Sequence, residues 1–124
     1  MKINLSVTAL LGMLAIILGA FGAHALKNHL DTEALKSFET GVRYQMYHVL
    51  ALLFVNIYAG FSDKTKNTIS LLFFTGIVFF SGSIYAITAL GVNARSIWFI
   101  TPLGGLLFII GWALLFYQFL KKAA

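Results

Sequence analysis

Four long stretches of this 124-residue chain contain no formally charged side chain. They are residues 3–23, 44–61, 68–94 and 96–120, with 21, 18, 27 and 25 residues respectively. Every Asp, Glu, Lys and Arg lies between or beyond them. About 20 helical residues cross the ~30 Å hydrocarbon layer of a bilayer, so each stretch is long enough to span it. Because backbone groups in lipid must be hydrogen-bonded within the protein, the sequence predicts four transmembrane α-helices.

The composition agrees with this class. Apolar residues make up 60% of the chain, charged residues make up 10%, and the mean hydropathy is +0.89. A soluble domain carries about a quarter charged residues, since its surface faces water. We therefore predict one all-α membrane domain covering residues 1–124, with four transmembrane helices in an antiparallel bundle and both termini on the same side.

The polar residues 24–43 predict an interfacial helical segment between helices 1 and 2. Asp31 is a suitable N-cap, and Glu33 in the first turn opposes the helix dipole. From Leu35 onward, apolar residues recur every three or four positions into the second charge-free stretch, which indicates a helix continuing into span 2. Residues 62–67 predict a polar turn after span 2. Thr101-Pro102 predicts the start of helix 4.

The charge of the chain does not indicate a nucleic-acid partner. Its net charge is +5, but the basic residues are scattered at the ends of the spans, without the patch that follows a phosphate backbone. Lysines at span ends are membrane anchors. Five basic residues lie on the side of the termini and four on the other side, which favours termini in the cytoplasm. The opening residues resemble a signal peptide, but their apolar run is longer than the usual signal core, so we expect it to be retained.

Small residues form a stripe along helix 1, at Thr8, Gly12, Ala15, Gly19 and Ala23. Such a face lets a neighbouring helix approach closely. Gly104, Gly105 and Gly111 offer similar positions on helix 4. Two such faces in so small a bundle favour a homo-oligomer, with membrane lipids as the other partner. In mid-span, Asn56 is predicted to form an interhelical hydrogen bond.

Several short motifs give the chain a resemblance to a known family. They are Gly19-Ala-Phe-Gly-Ala-His24, Tyr44-Gln-Met-Tyr-His48, Phe80-Ser-Gly-Ser-Ile-Tyr85, Ile100-Thr-Pro-Leu-Gly-Gly105 and Gly111-Trp112. In this order the motifs resemble those of the family known as domain of unknown function 423. Its members are small membrane proteins and include relatives of transmembrane protein 256. The resemblance implies a four-helix bacterial inner-membrane or mitochondrial protein, and it implies no activity.

Polar residues gather at the membrane side opposite the termini. His24 ends span 1, His48 lies one turn inside span 2, and the loop between them sets both on this side. The candidate ligand-binding residues there are His24, Glu39, Arg43, Tyr44, His48, Arg95 and Thr101. We predict that the first five line a shared pocket, in which Glu39 and Arg43 form an ion pair. The alternatives are structural hydrogen bonds for the histidines, or a proton-handling role.

Three functions remain open from the sequence. The first is a non-enzymatic module that binds lipid, quinone or a partner protein. The second is a small oligomeric transporter or channel, although no span carries a charged side chain along its middle. The third is a bis-histidine cofactor protein with a non-covalent haem, since the C-x-x-C-H attachment motif is missing. The sequence has no cysteine, nucleophile–base arrangement, phosphate loop or metal-spaced cluster, so we predict no catalytic or metal-binding residue.

Overall fold

A computed structural model describes residues 2–123, and within them helices are joined by short non-helical connections, without a strand. The four α-helices are α1 (Lys2–His24), α2 (Thr32–Ile57), α3 (Asp63–Thr88) and α4 (Ile100–Ala123), and a 3-10 turn, Ala94–Ser96, precedes α4. Consecutive helices pack against each other, α1 on α2, α2 on α3 and α3 on α4. The connections between them are short, so neighbouring helices are antiparallel.

Local capping residues set where two of the helices begin. The Asp31 carboxylate accepts a hydrogen bond from the Ala34 N–H at 2.7 Å, which confirms the predicted N-cap of α2. Ser62 caps α3 in the same way, accepting from the Thr65 N–H at 3.2 Å. The predicted turn at residues 62–67 is therefore mostly the first turn of α3. The polar residues there belong to the start of a helix rather than to a loop.

The start of α4 also differs from the prediction. The helix begins at Ile100, so Thr101 lies inside its first turn and is not the N-cap. The Thr101 hydroxyl hydrogen-bonds the Ser83 hydroxyl of α3 instead. Pro102 is tolerated because N–H groups in a first turn have no intrahelical partner to lose.

Small residues let α1 lie close to α2. A Cβ placed on Gly12 would lie 3.2 Å from a methyl group of Val49, and one on Gly22 would lie 2.8 Å from the Phe38 ring. The predicted stripe is therefore confirmed up to Gly19, which faces Val42. It continues through the buried Gly22 rather than the exposed Ala23. These facing residues also define an antiparallel register, since Gly12 lies opposite Val49 and Gly22 opposite Phe38.

Glycines of α4 are likewise used within the chain. A side chain on Gly104 would collide with the backbone of Phe80, and one on Gly111 would collide with the Phe73 ring. The helices α3 and α4 thus touch at near-backbone distance. Because the small faces of α1 and α4 are covered by α2 and α3, they no longer argue for a homo-oligomer. Oligomerisation stays a prediction.

Helix α2 lies at the centre of the bundle. It contacts α1 and α3 along its length, and His48 reaches α4. The buried apolar core is formed by α2, α3, α4 and the connection after α2, and consists of Leu52, Val55, Phe61, Ile69, Phe73, Ile77, Phe108 and Leu115. In the described part of the chain, every buried side-chain nitrogen and oxygen atom has a hydrogen-bond partner. The interior of a single copy therefore combines apolar side chains with polar groups that are all hydrogen-bonded.

Three of the four helices are long and apolar enough to cross a membrane. These segments are Ile3–His24, Asp63–Thr88 and Ile100–Lys122, within the described residues. Helix α2 does not meet the same criterion, so the prediction of four spans is confirmed only in part. The reason lies in its composition, because its first three turns carry Glu33, Lys36 and Glu39, and its central part carries buried polar side chains.

Candidate functional site

His48 is buried, and both of its ring nitrogens are occupied. The indole Nε1–H of Trp112 donates to His48 Nε2 at 3.0 Å. An indole nitrogen only donates, so Nε2 must be the acceptor and the ring proton must lie on Nδ1. Nδ1 therefore donates to the backbone carbonyl of Tyr44, at 2.7 Å. The neutral imidazole satisfies both bonds, and neither nitrogen is free for a metal or haem iron.

Aromatic rings hold the His48 imidazole in place. The Phe108 ring stacks on it, with centroids 3.6 Å apart and an interplanar angle of 11°. Phe73 meets it edge-on, with centroids 5.0 Å apart. The side chain is thus fixed by rings from α3 and α4 as well as by its hydrogen bonds. This arrangement fits the alternative in which His48 has a structural role and makes hydrogen bonds within the bundle.

The structure does not bring His24 and His48 together. The register of the α1–α2 pair sets His48 near the level of Gly12, and His24 lies twelve residues further along α1. At 1.5 Å per residue this is an axial offset of roughly 18 Å. His24 is exposed at the end of α1, whereas His48 is buried in the bundle. A shared pocket, or a haem held by both histidines of one chain, does not fit this geometry.

Tyr44 lies on a different face of α2 from Arg43. Its ring packs against Phe80 of α3 and Tyr47, with centroids 5.0 and 5.7 Å away. Arg43 instead faces α1. Arg95 is exposed in the 3-10 turn, where its backbone N–H donates to Asn93 Oδ1 at 3.0 Å. The predicted candidates are therefore distributed over several surfaces, and their ligand-binding role stays a prediction.

Gln45 makes a buried polar contact with two other helices, although it is not among the ligand-binding candidates predicted from the sequence. Its Nε2 donates to the backbone carbonyl of Leu11 in α1 at 2.7 Å, and its Oε1 accepts from the Tyr85 hydroxyl in α3 at 2.6 Å. One amide thus joins three helices. Beside it, the Ser81 hydroxyl donates to the Gly41 carbonyl at 2.7 Å. The sequence feature that indicates such a contact is an uncharged polar residue within an apolar stretch.

A second polar cluster lies towards the other end of the bundle. Asn4 Nδ2 donates to Asn56 Oδ1 at 3.1 Å, and Asn56 Nδ2 donates to the Ser70 hydroxyl at 2.8 Å. Asn4 also donates to Asn67 Oδ1 at 2.9 Å. The cluster joins α1, α2 and α3, which confirms the prediction that Asn56 forms interhelical hydrogen bonds.

An apolar groove with a charged mouth runs between α1 and α2. The groove has a volume of about 460 Å³ and is lined by Ala15, Ile16, Gly19, Ala20, Val42, Arg43, Met46 and Tyr47. It adjoins a smaller cavity of about 210 Å³, lined by Gly19, Phe38, Glu39, Val42 and Arg43. Gly19, Val42 and Arg43 line both, so the two spaces are direct neighbours. We call them together the α1/α2 groove, and its Glu39–Arg43 end the mouth.

The two charged side chains at the mouth are exposed. The Arg43 guanidinium donates to the neutral Thr40 hydroxyl at 3.2 Å. Within the described residues, Glu39 and Arg43 are not hydrogen-bonded to each other, so the predicted ion pair is not formed there. The mouth therefore presents a cation and an anion on successive turns of one helix.

A second groove, the α2/α4 groove, has no charged residue in its lining. Its volume is about 530 Å³, and it is lined by Tyr47, Leu50, Ala51, Phe54, Trp112, Leu115, Phe116 and Phe119. Tyr47 separates the two grooves on the outer face of α2. Both grooves open sideways, between helices, and so face the acyl chains when the bundle lies in a bilayer.

Comparison with known proteins supports a membrane family. Residues 18–105 match the family described as "Protein of unknown function (DUF423)". A UPF0382 membrane protein of Staphylococcus saprophyticus is 45% identical, covering 93% of this chain and 94% of the relative. A UPF0382 membrane protein of Haemophilus influenzae is 41% identical, over 95% and 94%, and YwdK of Bacillus subtilis is 40% identical, over 93% and 94%. No solved structure matches the chain.

Proposed function

Because this chain belongs to the DUF423 family, whose relatives are named membrane proteins, we propose that it is a non-enzymatic membrane module that binds a single amphiphilic lipid. One observation carries the proposal, namely the α1/α2 groove, in which an apolar trough ends at two charged side chains. A lipid has the same division, with an apolar tail and a polar headgroup. The volume lies in the range of small-molecule sites.

The small side chains of α1 support the tail end of this site. Ala15, Gly19 and Ala20 leave the trough open on the α1 side, and Val42 and Met46 form its apolar wall on α2. A hydrocarbon chain in this trough would contact apolar surface on both helices. His48 and Gln45 are buried inside the bundle and do not line the trough, and their hydrogen bonds hold the helices together.

The proposal includes a fourth crossing, by α2. Residues 37–57 of α2 lie alongside the apolar run of α1 when the Gly12–Val49 and Gly22–Phe38 contacts are extended along both helices. If α1 spans the membrane, a segment that lies beside its whole apolar run would cross the same layer. Glu39 and Arg43 are the charged residues of that segment, and both lie in its first two turns. Long side chains near a span end reach the interface.

The proposed location is the cytoplasmic (inner) membrane of a bacterium, with both termini in the cytoplasm. Both ends of the described chain lie at one end of the bundle, since the four helices alternate in direction. The slight excess of basic residues at that end supports the orientation, because lysine and arginine are enriched in cytoplasmic loops.

Native mass spectrometry of the full chain, released from membranes in a mild detergent, tests lipid binding. The variant Ala20→Trp fills the trough with an indole, and Ala20 is exposed, so the change does not disturb the core. We expect the wild-type protein to retain lipid adducts and this variant to lose most of them. Ala9→Trp is the matched control, since Ala9 is exposed on the same helix outside the groove. Equal lipid retention by both variants would contradict the proposal.

A further inference from the structure

We propose that the mouth of the α1/α2 groove selects a phospholipid whose headgroup carries both a phosphate and a primary ammonium group. Arg43 binds the phosphate and Glu39 binds the ammonium. This inference rests on the proposed lipid-binding function and specifies the class of lipid. The observation that supports this inference is the arrangement of the two charges at the end of one apolar trough.

The depth of the mouth matches the headgroup region. Gly19, which lines the mouth, lies five residues before the end of α1, so the mouth is roughly 8 Å from that end of the helix. The polar region of each leaflet is about 5–8 Å thick. Helical side chains also tilt towards the N-terminus of their helix, which for α2 is the same end of the bundle. With the end of α1 at the outer edge of the headgroup layer, the guanidinium would lie at the boundary between headgroups and acyl chains.

The order of the two charges matches the order of groups in such a lipid. Glu39 lies one turn closer to the helix start than Arg43, about 6 Å further out along the α2 axis. From the tail outward, an amphiphile in the trough meets the cation first and the anion second. A phospholipid with an ammonium headgroup presents its phosphate first and its ammonium second. The charges are thus complementary at both positions.

Both side chains have capacity for these contacts. The Arg43 guanidinium has five N–H donors, and its hydrogen bond within the chain is to a neutral hydroxyl, that of Thr40. Guanidinium groups bind phosphate oxygens with two parallel hydrogen bonds. The Glu39 carboxylate is exposed and accepts hydrogen bonds from N–H groups. Bridging both charges with one headgroup neutralises them near the interface, where an unpaired charge is unfavourable.

The same geometry disfavours other phospholipids. A headgroup that is anionic without an ammonium satisfies Arg43 but leaves Glu39 facing negative charge. A quaternary ammonium, as in a choline headgroup, is a cation without an N–H, so it makes no hydrogen bond to the carboxylate. The expected order of binding is therefore primary-ammonium lipid first, with choline and glycerol headgroups behind it.

Competition binding to the full chain in nanodiscs or native mass spectrometry tests this order. The probes are phosphatidylethanolamine, phosphatidylcholine and phosphatidylglycerol with identical acyl chains. We expect the wild-type protein to prefer phosphatidylethanolamine by about tenfold, equivalent to one charge-assisted hydrogen bond. Glu39→Gln should reduce that preference to near unity, and Arg43→Gln should weaken all three phospholipids. Glu33→Gln is the matched control, because Glu33 is exposed in the first turn of α2 and does not line the mouth.

The outcomes separate this inference from the function on which it rests. Equal affinity for the three phospholipids, or a preference unchanged in Glu39→Gln, overturns the selection of a primary ammonium. If binding then remains sensitive to Ala20→Trp, the lipid-binding function stands. If none of the three phospholipids binds and Ala20→Trp has no effect on retained lipid, both the inference and the function are wrong.

Discussion

The indole of Trp112 donates a 3.0 Å hydrogen bond to the imidazole of His48, and it joins α4 to α2 at the centre of the bundle. The bond fixes the tautomer of the histidine, because Nε2 is left without a proton and Nδ1 must donate to the Tyr44 carbonyl. The imidazole and the indole N–H are thereby used to hold the helices together.

Trp112→Phe should reduce the free energy of unfolding by about 1–2 kcal/mol. The phenyl ring keeps much of the apolar contact but removes the indole N–H, which leaves the buried His48 Nε2 without a donor. Reversible unfolding in mixed detergent–SDS micelles measures the change. Trp98→Phe is the control, since Trp98 is 71% exposed, and equal losses for the two variants would show that the hydrogen bond contributes nothing.

Gln45 and Tyr85 should be energetically coupled by about 0.5–1.5 kcal/mol. Their 2.6 Å hydrogen bond joins α2 to α3. A double-mutant cycle of Gln45→Leu and Tyr85→Phe in the same unfolding assay gives the coupling. The comparison cycle pairs Gln45→Leu with Tyr117→Phe, an exposed tyrosine of α4. Coupling as small in the first cycle as in the second would refute the contact.

The sequence predicted the features of the fold that depend on neighbouring residues. The Asp31 cap is read from residues 31–34, and the small stripe of α1 follows from helical periodicity alone. The family resemblance is also confirmed. Contacts between helices depend on their relative register, which no local pattern encodes. That is why the bond between Gln45 and Tyr85 was not predicted.

The same limit explains the error in the histidine site. The loop after α1 does join the two helices that carry His24 and His48, but it does not set the two side chains at one depth. Counting along the two antiparallel helices separates their levels by roughly 18 Å. Thr101 shows a similar effect. The pair Thr101-Pro102 is typical of a helix start, but the Thr101 hydroxyl makes a contact with Ser83 of α3 instead of capping the helix.

Gly104→Ala should destabilise the bundle by about 1–3 kcal/mol, because the added methyl group collides with the backbone of Phe80 and forces α3 and α4 apart. Unfolding in SDS and the yield of folded protein both report the change. Gly82→Ala is the matched control, since its Cβ would meet nothing closer than 4.0 Å. A loss in Gly104→Ala no larger than in the control would contradict the close α3–α4 contact.

Four crossings should be visible in reporter fusions. A reporter at the N-terminus, in the connection between Tyr58 and Ser62, or at the C-terminus should report the cytoplasm. A reporter near Asp31 or Asn93 should report the opposite side. A reporter at residue 60 on the side opposite the N-terminus would show that α2 does not cross the membrane as proposed.

The central position of α2 has a consequence for biogenesis. Under the proposed topology, the helix that contacts all three others is the one that an insertion machinery would release least readily into lipid, since charged and amide groups raise the free energy of transfer. Gln45, His48 and Asn56 obtain their side-chain partners from α1, α3 and α4, or from the backbone of α2 itself. We therefore expect α2 to enter the bilayer together with α1 as a helical hairpin and to become firmly held only when α3 and α4 have been synthesised.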